Sequence, residues 1–453
     1  MDIKKYSKEL EMDRPYDLVV VGAGPAGAAA AVAAGKRGLS VLLLEAGTQV
    51  GGMGTSGMVS SFAPMSDGLR PIAGGLALYL VEELHRRKAT GPQVDPSYWL
   101  SALQRWVPYR PEELALIWDE LLENAHVAVR YCSRVVDVLK NDEGLLDSLV
   151  VSDVTGLYAV RAKLFVDATG DAQLTAFAGF PTLRAGKDTK NIMPPTLCAL
   201  FSDIKWDSMS FSPSGNQPLR QQELLEKALS EHHFSHNDKH LPGLYRIGKS
   251  TGMMNAGHLF KTDALDRESL SQAYTKGRKL IREYLSFYKT YIPGCEEMDL
   301  LSSAPLLGVR ESRRIVGEYV LNYEDYKARR RFDDSIGLCA GSVDIHIYDD
   351  TEDEYKRYYE EFNNRDRMQE GESLSIPYRA LIPVGSRNLI VAGRCISTDV
   401  KVQGAVRIQP AATVMGEACG EAAALALQSG VSFPAVDVLR LQAVLLKRGA
   451  ILE

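Results

Sequence analysis

No CxxC pair occurs in the chain, and its six cysteines, Cys132, Cys198, Cys295, Cys339, Cys395 and Cys419, are scattered over 453 residues. That spacing excludes a disulfide framework, a cysteine-ligated zinc site and a redox-active dithiol. Apolar runs long enough to span a bilayer are also lacking, and the charged stretch from Met1 to Arg14 has no apolar signal core. The expectation is therefore a protein without membrane partners, in a reducing, cytoplasmic setting. Basic charge is in deficit, with 52 Lys and Arg against 58 Asp and Glu and a formal charge of −6, which argues against nucleic acid as a partner. The one basic run, Arg329-Arg330-Arg331, is followed by Asp333 and Asp334 and fits a solvated face. Internal repeats and low-complexity tracts are absent. GxGxxG occurs once.

That single occurrence carries most of the information. Asp17-Leu18-Val19-Val20-Val21 runs as a strand into Gly22-Ala23-Gly24-Pro25-Ala26-Gly27, an alanine-rich helix follows to about Arg37, and Val41-Leu42-Leu43-Leu44 ends at Glu45. Gly22 permits the sharp turn out of the strand, Gly24 lets backbone approach a pyrophosphate, and Gly27 lets the helix pack on the sheet. The helix N-terminus faces the phosphates, and Glu45 is placed to accept from ribose hydroxyls. The pattern predicts a dinucleotide site.

Beyond Glu45 lies Gly51-Gly52-Met53-Gly54-Thr55, too glycine-rich for a regular element. Helices are expected over 75–88 and 111–125, then short strands at 127–131, 134–139, 148–153, 157–161 and 164–166, a meander ending in Val166-Asp167-Ala168-Thr169-Gly170-Asp171. The middle of the chain is more polar, with helices expected over 218–230 and 266–291. A buried strand returns at Leu389-Ile390-Val391-Ala392-Gly393-Arg394, and a long helix follows from about 410 to 428. The expected fold class is α/β: a Rossmann-like FAD-binding domain of parallel sheet plus β-meander, with an inserted α+β substrate or cap domain. The boundaries are 1–190 and 376–453 for the first and 191–375 for the second. An interrupted sheet rejoined near the C-terminus suits a long cofactor such as FAD better than NAD.

These motifs, with Gly308-Val309-Arg310-Glu311-Ser312-Arg313-Arg314 and Gly404-Ala405-Val406-Arg407-Ile408-Gln409-Pro410, resemble the FAD-dependent oxidoreductases of the glutathione-reductase-like flavoprotein superfamily. More narrowly, the chain is similar to a bacterial family distantly related to the fumarate reductase and succinate dehydrogenase flavoproteins. The resemblance implies that Gly22, Gly24, Pro25, Ala26, Gly27, Glu45 and Ala46 hold the ADP half of FAD. It implies that Gly51, Gly52, Met53 and Thr55 line the path to the flavin and that Val136 meets adenine through its backbone. Ala168, Thr169 and Gly170 would close over the pyrophosphate, Gly393 and Arg394 would flank the ribityl chain, and the segment carrying Arg407 and Gln409 would present a helix start to the isoalloxazine. Many relatives have Asp where this chain has Arg394.

Candidate chemistry lies in the arginine group Arg310, Arg313 and Arg314, where a guanidinium could bind a substrate carboxylate or steady reduced flavin, or instead pair with Glu311 and Glu318. His346, alternating with apolar residues in 342–348 and sharing a face with Asp344, is a candidate base for a hydroxyl proton, and His258 is a second. Tyr378-Arg379 is a weaker candidate. His232, His236 and His240 have helical spacing, but Ser235, Asn237, Asp238 and Pro242-Gly243 favour a loop, so no metal site is expected. The expected activity is hydride transfer between flavin N5 and a small polar organic molecule. A flavin monooxygenase, or a non-catalytic flavoprotein passing electrons to a partner, stands as the alternative; direction, covalent attachment and oligomeric state stay open.

Overall fold

Five parallel strands carry their carboxyl ends to one edge, and the dinucleotide motifs sit along it. The structure is a computed structural model that describes residues 4–95, 97–100, 103, 105–210, 220–362 and 367–453. The strands are β1 (Tyr16–Val21), β2 (Val41–Leu44), β3 (Ala128–Arg130), β4 (Arg134–Lys140), β5 (Leu146–Asp153), β6 (Gly156–Asp167) and β7 (Leu389–Val391). The parallel order is β3-β2-β1-β6-β7, with Val21 opposite Asp167 and Asp167 opposite Val391.

The expected strands 157–161 and 164–166 are one strand, β6. Its first half pairs antiparallel with β5, and its second half pairs parallel with β1 and β7. A single 12-residue strand thus ties the meander to the parallel sheet without an intervening turn.

Helix α1 (Pro25–Lys36) forms because alanine is the best helix former and Pro25 suits the first turn. Ala26 through Ala34 are buried without interruption. Such a helix needs a neighbour with equally small side chains, and α2 (Gln409–Ser429) supplies it. A Cβ added to Gly416 would lie 1.9 Å from the Ala26 carbonyl oxygen, and one added to Gly420 would lie 2.3 Å from that of Ala30.

The insert has its own core of Phe201, Trp206, Leu244, Met254, Tyr284, Phe287 and Tyr288, built on the 25-residue helix Arg267–Tyr291. Asp266, expected as its first residue, is its N-cap and accepts from the Ser269 amide at 2.8 Å. The expected helix over 218–230 spans Gln221–Ser230; positions 218 and 219 lie outside the described residues. The second half of the expected cap packs elsewhere. Leu321, Tyr326, Ile336, Leu338 and Ile376 join the main core, because the strand pair Ser335–Cys339 and Leu374–Pro377 lies against α2. None of the described helices is long and apolar enough to cross a membrane.

Candidate active site

The four-stranded antiparallel sheet of the insert explains how distant residues meet. Ala199 pairs with both Met254 and Ser303, and Leu244 pairs with Met254. The chain entering at Ala199 and Leu244 and leaving at Met254 and Ser303 therefore passes one end of the sheet. Pro194 and Thr196, Asp238 and His240, His258, and Arg310 collect there.

Arg310 is buried, and its Nη1 donates to the Pro194 carbonyl at 2.6 Å and to Thr196 Oγ1 at 2.9 Å. Among the described residues no carboxylate lies within ion-pair distance of it. Burial, with Arg407 nearby, pulls its pKa down to about 10, still charged near neutrality. The other two arginines of the group behave differently. Arg314 is paired with Asp188, lies 3.9 Å from Glu311 and donates to the Thr398 carbonyl, while the Arg313 guanidinium, among the described residues, donates to the Asp171 carbonyl alone, at 3.4 Å. Glu318 takes neither.

His346 and His258 come together. His258 Nε2 and His346 Nδ1 are 2.7 Å apart. His346 Nε2 lies 3.2 Å from Asp344 Oδ2, and His258 Nδ1 lies 3.0 Å from Asp238 Oδ2, although not in line for a hydrogen bond. Asp344 also accepts from Arg407, at 3.0 Å. Burial and the Arg310 charge push His346 well below the ordinary imidazole value. The expected strand at 342–348 forms no regular element and lies outside any ladder, yet the Asp344 and His346 side chains do meet, at 3.2 Å. Asp238 was not legible as a site residue, and His240 only through its helical spacing with His232 and His236, because their meeting with His258 depends on the hairpin Leu244–Met254. The loop containing His232 and His236 is a loop, as expected, and neither histidine joins the cluster. Tyr378 and Arg379 are elsewhere: the Tyr378 hydroxyl donates to the Phe433 carbonyl, and Arg379 pairs with Asp334.

The residues expected to hold the cofactor line the sheet edge. Gly22 has φ +91°, and a Cβ at Gly27 would lie 1.8 Å from the Gly22 oxygen. A Cβ at Gly24 would meet no protein atom within 4 Å, which leaves the space a pyrophosphate needs. Neither α1 nor α2 has a side-chain N-cap, so both present unmet amides. Glu45 is held by the Ala23 and Gly47 amides, each at 2.7 Å, with Ala46 exposed beside it. Gly51 and Gly52 bring their loop against Gly24, and Met53 packs under Gly57. Val136 sits at a register shift in β4, which takes its backbone out of the regular ladder, as an adenine contact would need.

Beneath Ala168, the fully buried Asp167 accepts from Thr169 and Thr175 and so fixes the turn Ala168-Thr169-Gly170. Gly393 (φ +96°) turns β7 away beside Ala26. Arg394 is anchored to the Gly170 carbonyl at 2.7 Å, to the Val309 carbonyl and to Asp171, so it braces two loops instead of pointing freely at a ribityl chain. Two side chains are spent on structure. Thr55 Oγ1 donates to the Val50 carbonyl at 2.5 Å, and Gln409 bonds Tyr109 and the Val59 and Ser61 carbonyls. The Thr55 backbone is engaged as well, its amide donating to the Gly52 carbonyl at 3.2 Å and its carbonyl accepting from the Met58 amide at 2.9 Å.

Comparison with known proteins bears on this cradle. A 40-residue stretch is 62% identical to digeranylgeranylglycerophospholipid reductase 1 of Methanococcoides burtonii, covering 9% of this chain and 10% of that protein. Solved structures with a similar course include a geranylgeranyl bacteriochlorophyll reductase-like protein of Thermoplasma acidophilum, at 14% identity, TM-score 0.49, over 98% of this chain and 85% of that one. Another is p-nitrophenol 4-monooxygenase of Pseudomonas putida, at 14% identity, TM-score 0.47, over 97% and 87%. The family described as FAD dependent oxidoreductase matches residues 17–445. FAD is therefore the cofactor, and the chain belongs to the family of FAD-dependent oxidoreductases.

Proposed function

We propose that this chain exchanges a hydride equivalent between FAD and a small polar substrate bearing a carboxylate, as a dehydrogenase or reductase. The observation that carries this reading is Arg310: a buried guanidinium, oriented by Pro194 and Thr196 and with no carboxylate among the described residues within ion-pair distance, Asp344 and Asp238 acting on it from farther away. A buried cation left unpaired is costly, and a substrate carboxylate satisfies it through a charge-assisted fork. Arg407, one residue from the N-cap of α2, adds positive charge at the same end of the site. Bound FAD supplies a two-electron acceptor or donor at N5. The protein's own part is to hold the substrate anion at Arg310 and to pass the accompanying proton through the histidine and carboxylate cluster. Placement near the fumarate reductase and succinate dehydrogenase flavoproteins is supported by the same anion-binding arginine. We place the protein in the cytoplasm, where its six free thiols stay reduced.

The test is anaerobic addition of carboxylate, polyol and steroid panels to the yellow holoenzyme, followed in the visible spectrum. Bleaching by a carboxylic acid, or reoxidation of prereduced flavin by an unsaturated one, is expected. Substrate-stimulated NAD(P)H oxidation giving a hydroxylated product would replace this reading with a monooxygenase, and flavin inert to every small molecule would replace it with electron transfer to a partner.

A further inference from the structure

We propose that His240, His258 and His346 bind one divalent transition-metal ion of the zinc class, with Asp238 and Asp344 as the carboxylates that orient the ligands. One ligand nitrogen from each histidine lies within 4.8 Å of the other two. The His240 ring stacks on that of His258 at 5.1 Å and meets that of His346 edge-on at 5.3 Å.

The decisive feature is how the nitrogens are paired. The outer nitrogens, His258 Nδ1 and His346 Nε2, each face a carboxylate oxygen, at 3.0 and 3.2 Å. Carboxylates accept, so His346 Nε2 carries its proton through a hydrogen bond to Asp344. His258 Nδ1, out of line for a hydrogen bond, carries its proton because a lone pair 3.0 Å from the Asp238 oxygen would repel it. The inner nitrogens, His258 Nε2 and His346 Nδ1, are left with lone pairs. Two lone pairs facing each other at 2.7 Å require a cation between them. A shared proton would serve that pair alone. A metal ion also uses the third nitrogen, on His240, and carboxylate–histidine–metal is the usual outer arrangement of such sites.

Charge points the same way. Asp238 is fully buried and accepts from the backbone amides of His240 and His258, yet no Lys or Arg among the described residues pairs with it. A divalent ion on His258 supplies the missing positive charge. Three neutral imidazoles suit zinc and its neighbours in the divalent series, not calcium or magnesium. At metal–nitrogen distances of about 2.0–2.1 Å, tetrahedral ligation needs the 2.7 Å pair to open to about 3.4 Å, a shift within the reach of a small ring rotation. A cavity of about 40 Å³ touches all three histidines together with Tyr355 and Tyr358, enough for one water or substrate oxygen as fourth ligand.

This inference stands on the cluster's geometry and not on hydride transfer; with metal bound the histidines orient the oxygen that is the fourth ligand and do not themselves carry the proton. The test is elemental analysis of holoenzyme purified without chelator, with flavin quantified on the same sample. After chelation, cobalt(II) is titrated in and absorption is read beyond the flavin bands. About one metal per chain and a saturable ligand-field band are expected. D238N should weaken cobalt binding by about 10–100-fold, while H240A, whose side chain is partly exposed, should abolish the band yet retain FAD. Holoenzyme with full flavin, no copurifying metal and no band at millimolar cobalt would overturn the proposal. Metal held in flavin that no substrate reduces would support it while removing the redox reading.

Discussion

Gly24 and Gly27, three residues apart in the same turn, play opposite parts. Gly24 has φ −64°, which any residue adopts, and its missing Cβ faces open space; the missing Cβ of Gly27 faces a carbonyl oxygen at 1.8 Å. G24A should therefore leave apoprotein stability within about 1 kcal/mol of the parent, because its methyl group meets no protein atom within 4 Å, while weakening FAD binding sharply. G27V should fail to fold. Chemical denaturation of the apoproteins alongside flavin content separates the two. Arg310 permits a second contrast. R310M removes a charge-assisted contact, so KM for the carboxylate substrate should rise about 10–100-fold, whereas R310K should restore part of it. An unchanged KM would place the substrate elsewhere. Both residues were legible in the chain, Gly24 because a fixed motif needs glycine there and Arg310 because charge stands out in an apolar stretch. Asp238 was not, and His240 only as part of a helical spacing with His232 and His236 that gave way to a loop, because nothing local marks the hairpin that brings them to His258.

The helices α1 and α2 make contact at their smallest side chains, so even one methyl group is felt. G416A should cost about 1–3 kcal/mol, since the Ala26 carbonyl cannot retreat without disturbing the glycine turn next to it. The same helix carries a buried acid. Glu417 accepts from the Leu76 amide at 3.1 Å, and burial pushes its pKa up to about 7, Glu421 adding to the effect while Lys36 and Arg448 oppose it. The folded form then holds a proton that the unfolded chain releases at its lower pKa, so stability falls as pH rises from about 4.5 to 7 and is level above that. E417Q removes the ionisation and should gain on the order of 3 kcal/mol at pH 8 but little at pH 5. Melting temperatures of both proteins across that range give the sign directly. The elements themselves were well marked in the sequence, with α2 expected over 410–428 and found at Gln409–Ser429. The continuity of β6 was not, since Lys163 and the exposed Arg161 interrupt its apolar run while its pairing does not break.

Across the whole molecule, the two cores respond to different constraints. The main core joins segments from Leu18 to Leu445, including Leu321 to Ile382, and the cofactor edge draws on β1, β2, β4, β6, β7 and the start of α2. The insert core around Tyr284 and Phe287 is separate, and from the glycine-rich stretch 51–58 it includes Met58 among its buried members. Sequence composition marked a polar middle but not where it ends, because the strand pair Ser335–Cys339 and Leu374–Pro377 belongs by packing to α2 and not to the neighbouring insert. FAD binding should therefore stabilise the molecule unevenly. At a hundred times its Kd it contributes about 2.7 kcal/mol to whatever unfolds together with its site. Hydrogen exchange on holo- and apoprotein should show slowed amides at residues 22–30, 165–170 and 408–420 on loading with FAD. The helix Arg267–Tyr291, which packs within the insert, should exchange at nearly the same rate in both. Equal slowing throughout would mean that the two cores unfold as one unit, and that the insert senses the cofactor through Met58 and the loop around it.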